Sequence, residues 1–170
     1  MQLPTLTDVH VRTTEDAHKL FYAVELGKLP KIEKRLDAHE RAALRPGNVY
    51  VWEEKPPNAD NYAVTMERFT EGKAWTPSRV RYDFLMYYEK PAKKKGKNEK
   101  EETTPSAESS SSVPFSKAPF SKLNDKEAKP RKWHLNAYFT KHTEGQLQTI
   151  DDIPLLRDLV VPEGMYKTAR

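Results

Sequence analysis

Residues 68 to 79, "RFTEGKAWTPSR", combine cations, hydroxyls, aromatics and a glycine in a run that fits neither a helix nor a strand period. Arg68, Lys73, Arg79 and Arg81 bring four cations into 14 positions, interleaved with Phe69, Trp75 and Tyr82. Glu67, Glu71 and Asp83 offset them only in part. Thr70 and Ser78 carry hydroxyls able to donate to phosphate oxygens, and Gly72 lets backbone approach a ligand closely or adopt a positive φ. A short basic finger with a glycine at its tip suits a DNA minor groove, where concentrated negative potential attracts arginine. The same residues also suit a β-hairpin loop whose aromatics cap a core and whose charges are solvated, and chemistry alone favours that plainer reading. Thr70, Thr76 and Ser78 are candidate phosphorylation sites, where added negative charge would oppose DNA binding.

Catalytic chemistry finds little support. The five histidines, His10, His18, His39, His134 and His142, show no metal-ligand spacing. Glu53-Glu54 on a strand point to opposite faces, and Asp151-Asp152 cap a helix start, so neither is an acid/base pair. No phosphate loop, Gly-x-Ser-x-Gly or dinucleotide turn occurs. Cysteine is absent, which removes disulfides, thiolate catalysis and cysteine-ligated zinc, and fits a reducing compartment. The expectation is therefore no enzyme, no cofactor and no small-molecule substrate. No apolar run reaches the ~18 residues a membrane span needs, and "MQLPTLTDVHVR" lacks the blocks of a secretory signal. A net charge of +4 favours acidic partners only weakly.

The elements that must hold the basic run come in two blocks, 9–90 and 131–170. Between them, "PAKKKGKNEKEETTPSAESSSS" has no aromatic and no large aliphatic residue, and 91–130 reads as a largely disordered polar linker. "KPAKKKGK", Lys90 to Lys97, fits a nuclear import signal, a phosphate-contacting arm or a solvated linker. In the first block, Thr13 or Thr14 caps a helix with Glu15 and Asp16 in its first turn. Ala17, Leu20, Phe21 and Val24 form its apolar stripe, Gly27 supplies the stop, and Lys28 suits its carboxyl end. Asp37 with Glu40 has capping-box spacing for a short second helix, closed by Arg45 to Gly47. Asn48–Glu54 and Asp83–Lys90 read as strands. In the second block, "KWHLNAYFT" puts Trp133, Leu135, Ala137 and Phe139 on one face and His134, Asn136 and Tyr138 on the other. A turn around Glu144-Gly145, a short helix near Asp151 and an extended piece stopped by Pro162 follow. The second block is too small to build a core alone, so both blocks must form one domain.

"EDAHKLFYAVELGKLPKIEKRLDAHERAALRPGNVYVWEE", "RFTEGKAWTPSRV", "DFLMYYEK", "RKWHLNAYF" and "LLRDLVVPEGMY" occur here in that order. In those pieces the chain resembles the WOPR-domain family of fungal transcription regulators, and the resemblance covers most of its length. It implies an α+β single domain in which two interleaved blocks, split by a disordered linker, share an antiparallel sheet with short flanking helices. It implies a nuclear regulator that binds double-stranded DNA sequence-specifically at an A/T-rich minor groove, with other transcription factors as further partners. By position it implies Arg68, Thr70, Gly72, Lys73, Trp75, Ser78 and Arg79 as DNA-binding residues. Arg68 and Lys73 would face groove or phosphate, Arg79 would contact phosphate or anchor the loop, and Trp75 would fix the loop against the core.

The chain departs from the family pattern at Phe69 in place of tryptophan, Glu71 in place of aspartate and Thr76 in place of serine. The stretch before the loop, "KPPNADNYAVTME", is longer than the family's, and Glu67 interrupts the basic run that precedes a kinase site there, so regulation at Thr70 is not expected. The sequence stops at Arg170 without a long polar tail, so an activation region is expected in trans or absent. These departures keep open a second function, a non-catalytic interaction module of the same fold with weak or non-specific DNA binding.

Overall fold

In the computed structural model the described residues are 1–54, 69–81, 84–90, 108–117, 132–143 and 145–168. Thr13 caps helix α1 (Thr14–Glu25), its hydroxyl oxygen accepting from the Asp16 amide. The chain leaves α1 through Gly27 at φ 74°. Helix α2 (Ala38–Ala42) starts in the expected capping box: Asp37 accepts from the Glu40 amide and Glu40 from the Asp37 amide.

The strands are β1 (Val49–Glu53), β2 (Arg79–Arg81), β3 (Phe84–Tyr88), β4 (Glu108–Lys117), β5 (Lys132–Thr140) and β6 (Tyr166–Thr168). Among the described residues they form one sheet of order β1-β5-β4-β3-β2, with β6 paired to β4. All these pairings are antiparallel. Strand β5 of the second block thus lies beside β1 of the first, Val49 opposite Ala137, and the two blocks share a sheet as expected.

Two departures from the sequence reading concern strands. Residues 108–117 fall inside the stretch read as a disordered linker, yet they form β4, hydrogen-bonded to β3 on one side and β5 on the other. Composition misleads here because a strand flanked on both edges is held by ladder hydrogen bonds from its neighbours, and that context outweighs weak intrinsic propensity. Strands β2 and β6 have three residues each, too short to show a period. Residues 91–107 and 118–130 of the expected linker, with Lys93 to Lys97, lie outside the described residues.

Strands β1 and β5 are buried on both faces. Val49 and Val51 of β1 join Trp133, Leu135 and Ala137 of β5 in a core covered by Leu20, Phe21 and Val24 of α1. Ile150 and Leu156 complete that core; Ile150 opens the 3-10 turn Ile150–Asp152 and Leu156 belongs to helix α3 (Pro154–Arg157), the pair of short turns that realise the helix expected near Asp151. Strand alternation sends Tyr50 and Trp52 to the opposite face with Tyr138, where Ile32, Leu36 and Leu44 pack beside them. Leu36 and Leu44 flank α2, so this second cluster fastens that helix to the sheet at both ends. The turn into β1 needs Gly47: φ is 93°, and a Cβ there would stand 3.0 Å from the Asp8 Cα.

Candidate nucleic-acid interface

The loop ahead of β2 is a hairpin leg, seated on the second cluster. Its pairing with the end of β3 and the residues after it comes from the Lys90 amide donating to the Ala74 carbonyl (2.8 Å) and the Thr76 amide to the Tyr88 carbonyl (2.8 Å). The Thr76 hydroxyl oxygen accepts in turn from the Tyr88 amide (3.0 Å), and Trp75 bridges to Glu89. From 69 to 75 the side chains alternate. Phe69, Glu71, Lys73 and Trp75 turn inward and are half-buried, whereas Thr70, Gly72 and Ala74 are exposed.

The inward set anchors the loop. Phe69 lies 5.2 Å from Tyr50 and stacks on Trp52 at 6.3 Å and 24°. Trp52 stacks in turn on His134 at 4.2 Å and 13°, and its indole N–H donates to Asn136 Oδ1 (3.1 Å). Trp75 packs 6.2 Å from Tyr138. Beneath the tip, the Tyr138 hydroxyl donates to Glu71 Oε1 (3.0 Å). The Trp75 indole N–H is buried just outside hydrogen-bonding geometry, near enough to that carboxylate to favour its charge.

Electrostatics at this seat follow from burial. Desolvation raises the Glu71 carboxyl above its ordinary range, opposed by the hydrogen bond from Tyr138. Burial, with Glu71 adding to it, raises the Tyr138 phenol well above its ordinary value, so the hydroxyl stays protonated and able to donate. Burial lowers His134, against the pull of Glu54, whose Oε2 is 2.8 Å from Nε2. A carboxyl with a raised folded-state value gives stability that is fully present below its unfolded value and lost as pH rises through the folded one. Glu71→Gln keeps an acceptor for Tyr138 and removes the charge. Thermal unfolding between about pH 4 and pH 7 should show this loss in the wild type and a flatter profile in the variant; parallel profiles would refute the assignment to Glu71.

The outward set faces solvent. Gly72 sits at φ 77°, a conformation that favours glycine, and a Cβ there would stand 3.6 Å from Cδ and 3.9 Å from Nε of Arg41 on α2. Ser78 and Arg79 are exposed further along. Lys73, expected to face groove or phosphate, instead pairs with Glu89 (3.2 Å). Arg68 lies outside the described residues. The geometry therefore brings Thr70, Gly72, Ser78 and Arg79 to the surface and turns Trp75 and Lys73 inward.

Sequence reading missed three participants: Tyr138 as the partner of Glu71, Trp52 as the platform for Phe69, and Arg41 beside Gly72. The face of Tyr138 was readable from strand alternation, but contacts across 67 residues leave no mark in a single sequence.

The model of the Gti1/Pac2 family matches residues 7–166. The cAMP-independent regulatory protein pac2 of Schizosaccharomyces pombe is 41% identical over 85 residues, which are 50% of this chain and 33% of that protein. The global transcription regulator FGP1 of Gibberella zeae is 36% identical over 81 residues, 47% of this chain and 22% of that protein. The chain thus spans a third or less of these two relatives. Among solved structures, the WOPR domain of Wor1 from Candida albicans in complex with 13-bp double-stranded DNA superposes with a TM-score of 0.75. The match covers 97% of this chain and 95% of that one at 22% identity, a likeness of fold. The complex of the same domain with 17-bp double-stranded DNA gives 0.70 over 96% of each chain.

Proposed function

Because the chain belongs to the Gti1/Pac2 family, we propose that it is a sequence-specific double-stranded DNA-binding regulator of transcription that acts in the nucleus and has no catalytic role. Relatives named as global transcription regulators and a fold shared with a DNA-bound WOPR domain support this reading. The observation that carries it is the division of labour in the loop. Phe69, Glu71 and Trp75 hold it against a packed aromatic face, while Thr70, Gly72, Ser78 and Arg79 stand outward.

An outward edge of small residues lets the backbone come close to a groove floor, and a rigid seat spares the ordering entropy of binding. In this reading the loop, with Arg68, enters an A/T-rich minor groove and Arg79 meets phosphate. Lys73 reaches phosphate by exchanging Glu89 for it. Other transcription factors are further partners on the same reading.

Titrating a duplex that carries an A/T run against increasing salt tests this directly. Each phosphate contact steepens the slope of log affinity against log salt by about 0.9. Arg79→Ala and Arg68→Ala should each weaken binding and leave thermal unfolding near wild type. A flat salt response of the wild-type chain would end the proposal; unfolding caused by both substitutions would give the loop a structural role alone. The Lys73–Glu89 pair favours a second reading, an interaction module with weak or non-specific DNA binding. Equal affinity for A/T-containing and scrambled duplexes would select it.

A further inference from the structure

We propose that Arg41 is a phosphate-contacting residue of the same interface, delivered by α2 to the tip of the 69–79 loop. This inference rests on the DNA-binding reading above and adds to it a residue from a different element.

Three observations converge on Arg41. Its side chain crosses the open face of Gly72, with Cδ and Nε at ordinary contact distance from the place of a Cβ. It is exposed, and among the described residues no ion pair or hydrogen bond engages its guanidinium. Moreover, among the described residues of the loop tip no cation faces outward. Thr70, Gly72 and Ala74 face outward there, while Lys73 is turned to Glu89 and Arg79 lies at the far end. A phosphate resting on the small outward edge of the loop would therefore meet Arg41 first. The planar guanidinium is always charged and binds phosphate oxygens through paired N–H donors.

The helix that carries Arg41 is also held in place. The Asp37–Glu40 capping box fixes the start of α2, and the Gln2 amide donates to Glu40 Oε1. Gln2 Oε1 accepts from the amides of Glu33 (2.8 Å) and Lys34 (3.1 Å), tying down the approach to the helix. Leu36 and Leu44 sit in the cluster that also seats Phe69 and Trp75. One packed unit thus fixes the backbone of Arg41 relative to the loop that carries Gly72.

Arg41→Met retains the apolar stem that lies on Gly72 and removes the charge; Arg41→Lys retains a charge without the fork. Both are titrated in the full chain against an A/T-containing duplex and a scrambled one across a range of salt. Arg41→Met should bind both duplexes about tenfold more weakly, with a salt slope shallower by about 0.9. Arg41→Lys should keep the wild-type slope and lose part of the affinity. Wild-type affinity and slope in Arg41→Met overturn the proposal. So does a loss confined to the A/T duplex with an unchanged slope, because the stem would then be shaping the loop rather than the charge meeting phosphate. Failure of the wild-type chain to bind any duplex removes the DNA-binding reading itself, and this inference with it.

Discussion

Trp52→Ala is expected to destabilise the domain by about 3–5 kcal/mol, the range for truncating a buried tryptophan. Trp52 is 4% exposed and lies between Phe69 and His134. Its removal opens a cavity in the second cluster and takes the indole donor from the buried amide oxygen of Asn136. An unsatisfied buried acceptor alone costs about 1–3 kcal/mol. Denaturant unfolding would measure the loss, with Trp52→Phe intermediate because it keeps a ring and forfeits the N–H. A loss below about 1 kcal/mol for Trp52→Ala would mean that the rings of this face support little.

Phe21→Ala should cost a similar ~3–5 kcal/mol from the other side of the sheet. Phe21 is fully buried in α1, 6.2 Å from Trp133 and 5.6 Å from Tyr166, so it ties the helix to β5 and to β6. The two variants then separate stability from site. At a temperature where both stay folded, Phe21→Ala should bind duplex as the wild type does, since it leaves the seat of the loop intact. Trp52→Ala should bind poorly, because Phe69 has lost the ring it stacks on. Equal binding by the two variants would show that the loop does not depend on its aromatic seat.

Elements whose signals are local could be read directly. Thr13 and the Asp37–Glu40 box mark helix starts within one turn of chain, and the alternation in "KWHLNAYFT" sorted the faces of β5 correctly. Strand β4 could not be read in this way, because its reason for being a strand lies in β3 and β5 rather than in its own serines. The candidate site divides along the same line. Gly72 is visible in sequence, whereas the alternation from Phe69 to Trp75, Glu71 on Tyr138 and Arg41 on Gly72 arise only when distant segments meet. Lys73 shows the converse: a lysine in a basic run looks available, and only the fold reveals Glu89 beside it.

The pairing of β1 with β5 has a consequence for synthesis. Val49 and Val51 face one core and Tyr50 and Trp52 the other, so β1 is apolar on both sides. Its sheet partner β5, whose Ala137 and Leu135 lie opposite Val49 and Val51, is made much later in the chain. At a translation rate of about 10 residues per second, β1 leaves the ribosome on the order of ten seconds before β5 can join it. During that interval a strand with two sticky faces waits without its neighbour, and the nascent chain is most exposed to aggregation or chaperone capture then. Ribosome pausing within 91–131 would prolong that interval, while the completed domain would be the same.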